Sequence, residues 1–295
     1  MTQQSGTVAR ADAKRRGVAG LLVLPAALWY VGFLIAPLIV LFVMSLGERS
    51  PNGGYAPGLT LEQYANLTSR ITPLTNTLGL ALLNTVTCVI VAFPVAYTLA
   101  LKVRGGWKLA LVALVVVPFW TSFLIRTYAW MTLLGNQGIP RLLSGVGLGD
   151  IQLLNTPFAV SLGIVYNYLP LMVLPIYVSL ERLDHSFVEA SRDLGAGPIA
   201  TLRQIVLPLA APGILSGIVL VFIPVMGEYL IPILLGGGKT YFLGNALADL
   251  FLQSRNWPFG SALAAVFVAG MIVLVALYLW VSSRLVRSGR EASLL

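Results

Sequence analysis

Residues 71–101 read ITPLTNTLGLALLNTVTCVIVAFPVAYTLAL, and no Asp, Glu, Lys or Arg occurs among them. About 20 apolar residues cross a bilayer as an α-helix, because each adds about 1.5 Å of rise. This stretch is long enough to do so with residues to spare. Its apolar residues are continuous rather than alternating, which argues against a transmembrane β-barrel strand. Its reading as a spanning helix decides the class of the whole chain, because similar uncharged runs recur at 17–47, 109–125, 151–180, 204–227 and 256–283.

Composition agrees. The chain has 295 residues, of which 57% are hydrophobic and 10% charged, too few charged groups to cover the surface of a soluble domain of this length. The expected fold is all-α and polytopic, with six transmembrane helices near 17–46, 76–101, 109–134, 157–180, 208–235 and 261–286. A tail at 1–16 precedes them and a tail at 287–295 follows. The transmembrane domain thus covers 17–286, with its longest inner loop at 181–207. The run 17–47 is too long for the h-region of a signal peptide, so the basic N-terminus leads into an uncleaved first span.

The formal net charge is +8, yet its placement speaks for topology rather than for nucleic acid. With the N-terminus inside, 13 of the 19 Lys and Arg residues fall on inner segments, among them Arg10, Lys14, Arg15, Arg16, Lys102, Arg104, Lys108 and Arg182. Five fall outside (Arg49, Arg70, Arg141, Lys239 and Arg255), and Arg126 lies within a span. The positive-inside rule therefore puts both termini in the cytoplasm. Ten of the 17 prolines lie in or beside spans, which suits kinked helices lining a pathway, although proline is common in membrane helices generally.

No catalytic centre is expected. One cysteine, Cys88, and one histidine, His185, exclude both an intrachain disulfide and a Cys/His metal cluster. Cys88 reads as a small buried hydrophobe and His185 as a surface-loop residue. The segment Gly236-Gly237-Gly238-Lys239-Thr240 is the nearest thing to a phosphate loop. It has Ile233 where the motif needs its first glycine, and it reads as a plain loop.

The inner loop is the most specific segment. Glu189-Ala190-Ser191-Arg192-Asp193-Leu194-Gly195 is followed, nine residues later, by Ile205-Val206-Leu207-Pro208. Residues 187–194 can form a short helix that Gly195 ends in a left-handed conformation, with Gly197-Pro198 starting the next segment. This resembles the loop E-A-A-x3-G-x9-I-x-L-P of the permease subunits of ABC importers, with serine for the second alanine. The resemblance implies that Glu189, Ala190, Ser191, Gly195, Ile205, Leu207 and Pro208 form an elbow that docks on a separate ATPase.

Further stretches are similar to the first permease subunit of spermidine/putrescine importers. They are residues 118–130 (PFWTSFLIRTYAW), 165–170 (VYNYLP), Phe222-Ile223-Pro224 with Gly227-Glu228-Tyr229, and 256–260 (NWPFG). The resemblance implies a type I importer fold in a bacterial cytoplasmic (inner) membrane. It also implies a second permease subunit, two ATPase subunits that bind ATP and Mg, and an extracytoplasmic substrate-binding protein. This chain would hold no cofactor. Importers of iron(III), opines and aminoethylphosphonate share parts of these patterns. An ion-coupled secondary transporter or channel would instead show inverted repeats or deeper intramembrane acids.

Arg126 and Glu228 are the charges expected within the membrane, where such residues face a cavity or a partner. Arg126 is 17 residues past Leu109 and Glu228 is 20 past Pro208, so along straight helices both would stand about 25–30 Å up. Two readings compete. Glu228 could attract a polyamine cation beside the rings of Trp120, Tyr128 and Tyr229, with Tyr166 and Asn167 also on the pathway. Alternatively, Arg126 and Glu228 could form an ion pair that ties spans 3 and 5.

Overall fold

A computed structural model describes residues 24–147, 149 and 151–292. The N-terminal tail at 1–16, the start of the first span and residues 293–295 lie outside the described residues.

Helix α1 is Leu24–Ser45. A two-strand hairpin follows, β1 Glu48–Arg49 antiparallel to β2 Tyr55–Ala56, with Glu48 opposite Ala56. Next come α2 (Glu62–Ala65), α3 (Ile71–Lys102), α4 (Gly106–Trp120), α5 (Phe123–Leu134) and α6 (Ile139–Gly145). The chain continues through α7 (Pro157–Glu181), α8 (His185–Asp193), α9 (Pro198–Met226), α10 (Leu230–Gly236), α11 (Leu243–Ala248) and α12 (Trp257–Ala292). Among the described residues, five helices are long and apolar enough to cross a membrane, or six if the bent pair α4 and α5 is one span. Helices suit these runs because a bilayer leaves every backbone group to be satisfied within its own segment.

The chain divides into two compact units. One comprises residues 1–67 and 249–269. In it α1 is exposed on every side from Leu24 to Val40. The hairpin is tied down by Arg49, which donates to the Ser254 carbonyl at 2.9 Å, and by the Gly54 N–H donating to the Arg255 carbonyl at 2.6 Å.

The other unit comprises 68–248 and 270–295, and its core is α7 packed on α3 and α9. From α3 come Ala81, Cys88, Ala92 and Ala96, and from α7 come Ile164, Met172, Val173, Ile176 and Leu180, all fully buried. Alpha9 approaches α7 through Gly213 and Gly217. A methyl group at Gly213 would strike the Pro175 carbonyl and Ser179, and one at Gly217 would meet the Met172 sulfur. Small residues at such crossings let helix backbones come close. Polar side chains in the apolar helices turn back on their own backbone. Thr77, Thr98, Thr127 and Ser216 each donate to the carbonyl four residues earlier.

Two expected spans differ. The third is not one straight helix: α4 and α5 meet at 93°. Pro118 brings no N–H, and residues Val117–Trp120 close into a 3-10 turn. Thr121 and Ser122 then run extended before α5 starts. The fifth begins earlier than residue 208 and ends before residue 235. Gly197 and Pro198 start α9, a π turn over Leu202–Val206 carries the helix past Pro208, and α9 stops at Met226. The last part of the expected span is the separate helix α10.

Candidate functional site

The elbow is built from local hydrogen bonds. Asp184 caps α8 by accepting from the Ser186 N–H at 2.9 Å. At the other end Gly195 has φ +82°, its N–H donates to the Arg192 carbonyl and the Ala196 N–H donates to the Ser191 carbonyl. That pair of bonds is the Schellman arrangement, which glycine closes without strain. Gly197 and Pro198 then open α9.

Ser191 and Thr201 are both buried and share a hydrogen bond of 2.9 Å between their hydroxyls, joining α8 to the first turn of α9. The serine that departs from the family loop thus makes a contact that alanine cannot. Replacing Ser191 by alanine should cost about 1 kcal/mol and leave Thr201 bonded to the Gly197 carbonyl. Amide hydrogen exchange of α8 is then expected to quicken about fivefold at unchanged protein level. No change in exchange would mean the bond does not hold the elbow.

Glu189 and Ala190 lie exposed on the free side of α8, with Phe187, Leu194 and Ile199 as exposed apolar neighbours in the elbow. Of the second half of the loop pattern, Ile205 is half-buried within the π turn, and Leu207 and Pro208 are exposed at the start of the membrane stretch of α9. Beside the elbow, Lys108 at the start of α4 pairs with Glu181 at the end of α7 at 2.6 Å and donates to the Ala100 carbonyl on α3.

The second locus surrounds Glu228, which is buried and lies in the link between α9 and α10 rather than inside a span. One carboxylate oxygen accepts from the backbone N–H groups of Leu230 and Ile231 at 3.0 and 3.2 Å. The other accepts from the Tyr168 hydroxyl at 2.6 Å.

No ion pair joins Glu228 to Arg126 among the described residues of this structure. Arg126 is buried on α5 beyond the bend, its Nε has no hydrogen-bond partner, and its guanidinium stands 5.5 Å from the centre of the Phe119 ring. The expected heights along straight helices therefore fail for both charges. One lies past a 93° turn and the other past the end of α9.

The remaining candidates are scattered in their surroundings. Trp120 is 82% exposed, and Tyr128 and Tyr229 are exposed as well. Tyr166 packs edge-on against Trp130 with ring centres 5.4 Å apart. Asn167 is buried, donates to the Gly163 carbonyl at 2.9 Å and leaves its side-chain oxygen without a partner. Tyr168 was the residue that sequence reasoning missed as a partner. It stands within the quoted stretch 165–170, but a neutral phenol gives no sign in a search for opposite charges. The loop at 236–240 is a turn in which Gly237 and Gly238 take positive φ, and a side chain at Gly237 would strike Asn155.

Three comparisons place this architecture. Residues 80–287 match the family described as binding-protein-dependent transport system inner membrane component. The spermidine/putrescine transport system permease protein PotB of Haemophilus influenzae is 38% identical over 261 residues, covering 87% of this chain and 90% of that one. The protein of the same name from Escherichia coli is 36% identical over 268 residues, covering 89% of this chain and 97% of that one. A crystal structure of a bacterial ABC transporter involved in import of the acidic polysaccharide alginate superposes with a TM-score of 0.78 at 19% identity. It covers 93% of this chain and 98% of that one. At that identity the likeness concerns the fold alone.

Proposed function

The chain belongs to the family of binding-protein-dependent transport system inner membrane components, and from that premise we propose that it forms half of the path by which an ATP-driven importer takes up polyamines, spermidine or putrescine. The observation that carries the substrate is identity of 36–38% across most of the chain with permeases named for those two compounds. The protein is a multi-pass membrane permease subunit.

In this reading the chain crosses the bacterial cytoplasmic membrane six times with both termini inside. Two contacts agree with that order of crossings, and the positive-inside rule sets which side is inner. Lys108 and Glu181, held together at 2.6 Å, then share the inner face. Thr77, which accepts from the Leu243 N–H at 2.7 Å, and α11 then share the outer face. A second permease subunit completes the path and an extracytoplasmic binding protein delivers the substrate. Two ATPase subunits hold ATP and Mg, so that this chain needs no cofactor. The elbow of Glu189, Ala190, Ser191 and Gly195, continued by Ile205, Leu207 and Pro208 in α9, transmits their opening and closing.

ATP binding draws the ATPases together, and the elbow moves with them as a rigid body because α8 is capped at both ends and joined to α9. Substrate shifts the equilibrium only through unequal affinity for the two states. The test is uptake of labelled spermidine and putrescine by cells lacking this chain. Energy-dependent uptake is expected to return with the intact chain and with no empty vector. Equal uptake without it, in cells with no second polyamine importer, would refute the substrate.

A further inference from the structure

The Glu228 carboxylate is held entirely by neutral donors, while a buried guanidinium nearby has no hydrogen-bond partner on its Nε. Neither ion has a salt-bridge partner among the described residues, and a buried charge is costly to leave unpaired. The elements around them adjoin. Alpha5, which carries Arg126, packs on both α7 and α10, the two elements that supply the donors to Glu228.

Each ion, moreover, sits at a joint. Arg126 lies in the first turns of α5 after the 93° bend at Thr121 and Ser122, and Glu228 lies in the non-helical link between Met226 and Leu230. Such breaks absorb the backbone rotations of a conformational change, whereas packed helices move as units.

We propose that Tyr168 and Arg126 compete for the Glu228 carboxylate, and that its passage from the phenol to the guanidinium accompanies the switch between the two access states of the permease. Tyr168 is then a positioning residue. It keeps its proton throughout, and only the hydrogen-bond partner of the carboxylate changes. With Tyr168 as donor, α7 is tied to the link between α9 and α10. With Arg126 as partner, the tie passes to α5 on the far side of the bend. The device rests on the transport reading but not on the identity of the substrate.

The assembled transporter in lipid nanodiscs tests it, without substrate. A cysteine in place of the exposed Ser216 on α9, in a Cys88→Ala background, reports access by its labelling rate with a membrane-impermeant maleimide. A non-hydrolysable ATP analogue calibrates the two extremes. Tyr168→Phe removes one competitor and Arg126→Gln the other, so they are expected to move the labelling rate in opposite directions, each by roughly tenfold in the state ratio. Arg126→Lys keeps the charge and should move it the same way as Arg126→Gln but less, and it carries the test if Arg126→Gln does not assemble. Shifts of Tyr168→Phe and the Arg126 variants in one direction, or no shift, would overturn the proposal. Absence of polyamine uptake would leave this result untouched and count against the substrate alone.

Discussion

Replacing Gly213 by valine is expected to remove most of the folded protein from the membrane. Any Cβ at this position is driven against the Pro175 carbonyl and the Ser179 side chain of α7, and the valine methyls would go further. Backbone is the obstacle, so no rotamer change relieves it. Alpha7 and α9 must separate, and with them go the Met172 packing at Gly217 and the 3.2 Å bond from the Ser179 hydroxyl to the Leu209 carbonyl. Overpacking of this kind costs about 1–3 kcal/mol and occasionally more, at the crossing on which the core depends. Gly79 on α3 has nothing within 4 Å of the position a Cβ would take, and Gly79→Ala is the matched control. Quantified membrane fractions and thermal unfolding of the detergent-extracted protein check it. Normal amounts of Gly213→Val with an unchanged midpoint would show that this approach is not tight in the bilayer.

What could be read beforehand divides along a physical line. Runs such as 71–101 and 157–180 became helices near their expected ends, because a long uncharged segment in a bilayer has one way to satisfy its backbone. The elbow was legible because Gly195 and the pair Gly197-Pro198 are backbone signals carried by the residues themselves. The bend at Thr121 and Ser122 was not. No charged residue occurs from Leu109 to Ile125, and an uncharged run reports that a segment is buried without reporting its direction. Pro118 was visible, but many membrane prolines only kink their helix. The start of α9 was hidden for the opposite reason: Arg203 and Gln204 interrupt the apolar run and read as loop, although the helix already winds through them. The partner of Glu228 was sought among opposite charges, whereas two backbone N–H groups and a phenol 60 residues away in sequence hold it. Such satisfaction depends on which helices touch, and that belongs to packing.

Reversing the charge of Glu189 is expected to abolish uptake while sparing the permease itself. Glu189 is exposed and two positions from buried Ser191, so the two occupy opposite sides of α8. The side that joins α9 is thus untouched by Glu189→Lys. Helix stability should change little, because Glu189→Lys exchanges repulsion from Asp193 for repulsion from Arg192, and attraction to Arg192 for attraction to Asp193. What changes is the face offered to the ATPase. A like-charge juxtaposition at an interface costs several kcal/mol, and each 1.4 kcal/mol is about tenfold in affinity. Uptake should therefore fall more than tenfold, with the ATPase lost from the purified complex and the permease present at its normal level in the membrane. Glu189→Gln, which keeps the shape and removes only the charge, should fall between. Should Glu189→Lys retain both uptake and bound ATPase, the exposed face of α8 would not be the point of attachment, and its burial against a partner would have to be sought on Phe187, Leu194 and Ile199 instead.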